Sequence, residues 1–253
     1  MAREYYHVEV KPTITASLQH GGGTGVFSTD DVLFDWTKIY MPRGNGRLIG
    51  TTVLVRGTDG VRQEHPFDLY FSKGRNQSDP VTLGTINLTV TQKPNNDLLA
   101  VVEASKKAYG NSLPNMSIMN IPTTARITMK AVKEPIGSGT APTQNYCLWM
   151  GGIADPSTGA SGFDWTTTCR INQAANFAAG ASTTIITDGS NADISFAPGD
   201  VLHAHDDAII GTVKSVSANL ITLTDTNTAA LLDDDYIYNI NPMTFLLSFN
   251  MQN

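Results

Sequence analysis

Apolar and polar positions alternate along this chain in short runs, and the last run shows the pattern best. Met243, Phe245, Leu247, Phe249 and Met251 alternate with Thr244, Leu246, Ser248 and Asn250. A period of two places these five large apolar side chains on one face of a strand, which needs a core to lie against. The first run, residues 5–16, starts a strand with Tyr6, Val8 and Val10 on one face. Between the two, the pattern predicts strands over Val32–Tyr40, Arg47–Arg56, Phe67–Phe71, Val81–Val90, Leu98–Ala104 and Ala125–Val132. Turn clusters separate them at Pro42–Gly46, Gly57–Gly60, Lys73–Asn76 and Lys93–Asp97, and Gly21–Gly25 reads as a flexible loop. The best helical window is Ala100–Tyr109, one short element at most. Short, evenly spaced strands predict an all-β protein with an antiparallel sandwich or jelly-roll-like N-terminal body, not βαβ units.

Residues 135–144 read as a loop, followed by the short apolar run Asn145–Gly151 and a second loop at 155–165. From about Thr183 the texture changes. Thr184–Thr187 precedes Pro198–Leu202, and Leu220–Thr224 precedes Asp234–Tyr238. The strand-like units are offset by 36 residues and the acidic-apolar turns by 35, which reads as an internal duplication. Joined by a strand over Ile209–Val216, the two units would make a small β-barrel. Such a barrel is complete without the last strand, so that strand is expected to return to the N-terminal sheet, with Pro242 marking re-entry. The expected division is a body of residues 1–171 plus 242–253 and an inserted module of residues 172–241.

Composition sharpens this picture. The chain has 253 residues and 27.2 kDa, with 41% hydrophobic and 16% charged residues, against a usual charged share of about 25%. Its 30 Thr and 18 Asn against 9 Lys describe strands and turns with an uncharged polar surface. No apolar run approaches the roughly 18 residues of a membrane span, and the N-terminus lacks the apolar stretch of a signal peptide. Two cysteines make neither a disulfide scaffold nor a CxxC zinc pair, so a reducing site of assembly is expected. Residues 1–133 hold 15 Lys+Arg against 11 Asp+Glu, whereas residues 134–253 hold 2 against 12. The basic excess of the first half is too small for nucleic-acid binding, which wants a dense basic stripe.

The chain has no nucleophile elbow, HExxH helix or Walker loop. His203 and His205, two apart on a strand, could face one metal, and Asp233, Asp234 and Asp235 could hold a hard cation. However, Asp206-Asp207 is a turn signal, a third spaced ligand is missing, and the acidic run lacks an EF-hand's spacing. No catalytic, cofactor or metal site is therefore expected. Trp36, Trp149 and Trp165 read as core or interface anchors, and Cys147 and Cys169 as buried thiols.

Residues 196–240 carry a resemblance. Gly199–Leu202, Gly211–Val216, Ile221–Thr224 and Ala230–Ile237 follow a pattern of Gly-Asp turn, Gly-Thr-Val-x-Ser-Val strand, Ile-Thr-Leu-Thr strand and Asp-Asp ending. This resembles a small β module of virion structural proteins of tailed bacteriophages, particularly of marine hosts. The resemblance covers about 45 of the 253 residues and implies a phage particle component. With the polar β surface, it makes a capsid decoration (cement) protein the leading expectation. Such a protein is not an enzyme. It would sit on the capsid exterior after assembly in the host cytoplasm, contact the major capsid protein as a homo-oligomer (a trimer favoured), and engage neither nucleic acid nor membrane. The alternatives are a tail, adaptor or fibre-associated virion protein, or a host-surface glycan-binding module.

Overall fold

The structure, a computed structural model, describes residues 3–14, 26–42, 45–73, 79–91, 98–113, 115–130, 132–133, 146–155, 162–165, 169–172, 176–189, 192–204 and 206–252. Its strands are β1 (Arg3–Val10), β2 (Val32–Met41), β3 (Asn45–Arg56), β4 (Phe67–Ser72), β5 (Leu98–Ala104), β6 (Tyr109–Leu113), β7 (Met116–Lys130), β8 (Val132–Lys133) and β9 (Tyr146–Ala154). They continue with β10 (Thr184–Ile186), β11 (Val201–Ala204), β12 (Ile209–Ser217), β13 (Leu220–Leu223), β14 (Ile237–Asn239) and β15 (Met243–Gln252). The fold is all-β, and every ladder is antiparallel.

Two sheets make the body. One runs β1-β15-β3-β7-β6 and the other β2-β9-β4-β5, with β8 on β9. Counting the β6–β7 hairpin as one strand, the eight strands run 1-8-3-6 opposite 2-7-4-5. That order is two Greek keys, a jelly roll. The last strand lies centrally between β1 and β3, and the face bearing Met243, Phe245, Leu247, Phe249 and Met251 is buried. Phe245 meets Phe34 and Phe67 of the facing sheet at ring-centroid distances of 5.5 and 6.1 Å. These side chains belong to a core cluster that both sheets supply.

The remaining strands form a third sheet, β10-β13-β12-β11-β14, over a separate cluster that includes Cys169, Ile171, Ile185, Leu202, Ile221 and Ile237. Its five strands do not close edge to edge into the expected barrel. Instead Ile171 bridges Thr187 after β10, and Arg170 bridges Tyr236 before β14. The duplicated units pair with each other: Ile185 stands opposite Ile221, and Leu202 opposite Asn239. The turns repeat as well. Gly199 (φ 91°) and Asp234 (φ 65°) both take the left-handed conformation. Gly199 N–H donates to Val213 as Asp234 N–H donates to Ile171, and Val213 N–H donates to Asp200 as Ile171 N–H donates to Asp235. The segment around Arg170–Ile171 therefore occupies the place in the first unit that β12 occupies in the second.

Three further expectations change. Val81–Val90 is not a strand but a turn-rich segment joined by the isolated bridges Asp31–Thr89, just before β2, and Val32–Ile86, at its first residue. Gly84 (φ 144°) and Asn87 (φ 60°) break the extended backbone, and the Thr82 hydroxyl accepts from Gly84 N–H at 3.1 Å. The window Ala100–Tyr109 is not an α-helix: it stays extended to Ala104 and makes only a 3-10 turn at Lys106–Ala108. Val101 and Val102 are β-branched, and each pairs with a β4 residue. The strand expected at Ala125–Val132 begins instead at Met116. Pro122 falls inside it, opposite Gly50 at a register shift, where a missing N–H disrupts the ladder least.

Candidate functional site

The module is mounted on one end of the sandwich, where β1, β3 and β9 finish and β7 and β15 begin. Three short contacts strap the chain crossings there. Ile14 N–H donates to Ile240 at 2.8 Å, Arg56 N–H to Pro242 at 2.8 Å, and the Asn241 amide to Pro12 at 2.9 Å. Beyond the straps, β3 ends in a hairpin in which Asp59 (φ 50°) and Gly60 (φ 78°) form a tight turn between the bridged residues Thr58 and Val61. Asp59 sits against the helical turn Ala192–Ser195: the Ser195 hydroxyl donates to its Oδ1 at 3.0 Å.

The charged contact at this junction is Arg56 Nη2 to Asp200 Oδ1, 3.3 Å. Asp200 occupies the buried position of the first duplicated turn, and its Oδ2 accepts from Ala197 N–H at 2.8 Å. Burial raises the Asp200 carboxyl above its ordinary value, against the downward pull of the Arg56 guanidinium and the Ala197 N–H. Removing Arg56 therefore leaves a buried carboxyl without its cation. Loss of one partner costs about 3–5 kcal/mol in a fully buried pair, but the Arg56 side chain is 30% exposed. We expect Arg56→Met to cost about 2 kcal/mol, and Arg56→Met/Asp200→Asn to recover more than half of it. Urea unfolding of the two variants measures both numbers.

Arg56, Trp165, Ser195, Phe196, Tyr238 and Pro242 line a narrow cleft at this junction. Trp165 donates from Nε1 to the Arg56 carbonyl at 3.0 Å, and its ring stacks on Phe163 at 4.9 Å. The cleft lies along the seam between the two cored units.

The residues singled out from sequence are dispersed. His203 is buried, with Nδ1 donating to the Asp207 carbonyl at 2.8 Å, and its Nε2 has no partner among the described residues. His205 lies outside the described residues, as does Gly21–Gly25. Asp206, Asp233 and Asp234 are exposed and Asp235 is half-buried. Among the described residues no group of three or more His, Cys, Asp or Glu could hold a metal ion. Trp149 and Trp165 are buried, whereas Trp36 is half-buried and donates from Nε1 to the Val81 carbonyl at 2.8 Å. Cys147 and Cys169 are buried thiols, and burial pushes the Cys169 thiol up to about 11, the opposite of an activated nucleophile. Sequence reading missed Arg56, Asp59 and Ser195. The only signal was the Gly199-Asp200 turn, whose aspartate needs a cation once buried.

Burial lowers His203 below the ordinary histidine value, against the raising effect of Asp207. The unfolded chain therefore takes up its proton first as pH falls. The stability His203 contributes is complete above pH ~6.5 and drains away between there and its lowered value in the fold. His65 shifts the same way, chiefly through burial and then through Lys106. We expect the unfolding temperature to drop between pH 7 and pH 5, and His203→Gln to flatten part of that slope. An unchanged slope in the variant would remove His203 from the account.

No protein-family model matches the chain, and neither a curated protein nor a solved structure matches it.

Proposed function

We propose that this protein is a virion structural protein of the capsid-decoration type, which stabilises a phage head by binding across capsid subunits. The observation that carries the reading is a jelly-roll body bearing, in the crossing before its last strand, a separately cored module strapped to one end. Jelly rolls serve as capsid and lectin domains. The module is the part that resembles phage structural proteins. A Cys169 thiol whose pKa burial raises, and a junction cleft that follows the seam between two cores, support a role exercised through surface and not through turnover. The proposed partner is the major capsid protein, on the capsid exterior, with the protein acting as a homo-oligomer.

Mixing purified protein with undecorated capsids tests this. Saturable binding at local symmetry axes, with a higher disruption temperature for the shell, is the expected result. Rings of six or twelve on the tail axis would assign the protein to the tail instead.

A further inference from the structure

The end of the module away from the sandwich carries a pinned apolar row flanked by aspartates. β12 fixes the direction. Its last residues lead to Ala218, whose carbonyl accepts from Asp193 of the helical turn that meets the body, so its first residue, Ile209, stands at the far end. Nine residues at about 3.3 Å each put roughly 30 Å between the two ends. Thr228 crosses there, its hydroxyl donating to the Ile209 carbonyl at 2.5 Å. A few residues on, Leu231 bridges Phe177, and Asp233 N–H donates to Asn176 Oδ1 at 3.1 Å. Along this row Ile209 is 53% exposed, Leu232 40% and Phe177 37%, with Ala178, Ala179 and Ala181 exposed beside them. Asn227 holds the loop in this pose. It is 1% exposed and bonded at every polar group. Its Nδ2 donates to the carbonyls of Ala178 and Ala229 at 2.9 and 2.7 Å, and its Oδ1 accepts from Ser182 N–H at 2.8 Å. Its backbone N–H donates to Ser182 at 2.8 Å, and its carbonyl accepts from Gly180 N–H at 2.6 Å. Charge lies on all sides of the row: Asp206, Asp225, Asp233 and Asp234 are exposed. No Lys or Arg occurs from residue 171 to 213 or from 215 to 253, and Lys214 lies five residues along β12 from Ile209.

We infer that the far end of the module is a docking knob for a basic protein surface, with Phe177, Ile209 and Leu232 entering an apolar recess whose Lys and Arg rim meets the aspartates. This contact is separate from the capsid binding proposed above and does not rest on it. Single exposed apolar side chains are ordinary on a protein surface. Here three of them are joined by backbone and side-chain bonds into one row. The loop that presents Phe177 is already fixed by Asn227, which removes much of the ordering cost that binding otherwise pays. The aspartates decide the partner's sign, because opposite charges steer encounter and like charges across an interface reject the wrong partner. A second copy docking through the same end would set aspartate against aspartate. An anionic membrane would repel the same ring of charge. Charge complementarity therefore selects a cationic protein surface, and the apolar row asks that surface for a recess.

The test is titration of the full chain with a synthetic peptide of alternating Lys and Leu, which offers both chemistries at once. Wild type should bind it in a salt-sensitive way, and should bind a Lys/Ser peptide and a Glu/Leu peptide at least ~10-fold more weakly. An apolar variant, Phe177→Ser/Ile209→Thr/Leu232→Ser, and a charge variant, Asp206→Asn/Asp225→Asn/Asp233→Asn, should each lose at least ~10-fold in affinity for the Lys/Leu peptide. Glu103→Gln/Leu246→Ser, on the body, should bind like wild type. Thermal unfolding establishes that each protein folds. If the apolar variant does not, the charge variant decides, since asparagine keeps the size of each side chain. Absence of wild-type binding overturns the knob, as does either knob variant binding like wild type or a body control that loses binding. Flotation of wild type with phosphatidylcholine/phosphatidylserine vesicles, lost in the apolar variant, replaces the basic protein with a membrane. Self-association in sedimentation equilibrium, lost in the same variant, replaces it with a second copy.

Discussion

Truncation before Met243 is expected to leave the sandwich unfolded. The ten residues of β15 are a central strand, paired along their length with β3 on one side and β1 on the other. The loss would leave both neighbours with an unpaired edge. It also removes the five apolar side chains of the inner face, all between 0 and 2% exposed. At about 1.5–3 kcal/mol for each fully buried side chain, the loss rivals the whole stability of roughly 5–15 kcal/mol of an ordinary domain. A single deletion inside the row gives the same answer in graded form. Phe245→Ala, between Phe34 and Phe67, should cost about 3–5 kcal/mol, whereas Leu246→Ser, at 43% exposure on the outer face, should stay within about 0.5 kcal/mol. Urea denaturation of the two variants reads the difference, and equal costs would mean that this face is not the packed one.

Gly162→Ala should be nearly as damaging, although it adds one methyl group. A Cβ at that position would sit 1.7 Å from the carbonyl oxygen of Phe27. That neighbour is backbone, and it is held in place: Phe27 N–H donates to Phe163 at 2.8 Å, and Val26 bridges Asp164. No side chain can rotate away to make room. The segment must detach instead, taking with it the stack of Phe163 on Trp165, the edge contact of Phe27 with Trp165 at 5.6 Å, and the Trp165 bond to Arg56. The expected cost is on the order of 3–5 kcal/mol. Gly180→Ala makes the comparison, since it meets no atom within 4 Å and loses only its left-handed φ of 79°, worth about 1 kcal/mol. Thermal unfolding of the two proteins should differ by several degrees. A Gly162→Ala protein as stable as wild type would be falsifying for the close approach.

What the sequence discloses follows from how local each determinant is. The alternation of Met243 to Met251 is local, and with the small module complete without it, the return of that strand to the body could be read before any coordinates. The offset of 36 between Ile185 and Ile221 is also visible in the chain, and in the structure those two residues face each other. By contrast, Val81–Val90 has strand-like composition, but Gly84 and Asn87 turn it and Thr82 bonds to it, interactions that outweigh propensity. The first half of β7 contains Pro122, and the register shift that accommodates it lies on another strand. The junction is the least legible part. Arg56 and Asp200 are 144 residues apart, and Trp165 and Arg56 109 apart, and neither pairing leaves a periodic trace.

The placement of β15 also sets an order of events during synthesis. His7 and Ser248, which hydrogen-bond across the β1–β15 ladder at 2.9 Å, are separated by 241 residues. The body can therefore close its first sheet only when nearly the whole chain has left the ribosome. The module draws its core from a contiguous stretch, Cys169 to Ile237, and its widest ladder contact, Thr184 with Thr222, spans 38 residues. Local contacts form fast and distant ones slowly, so the module is the first unit to fold although it is encoded late. During that interval the emerging sandwich exposes β1 and β3 as unsatisfied edges, the state most open to aggregation. A compact acidic module folded at its C-terminal side keeps such chains apart until the final strand closes the gap.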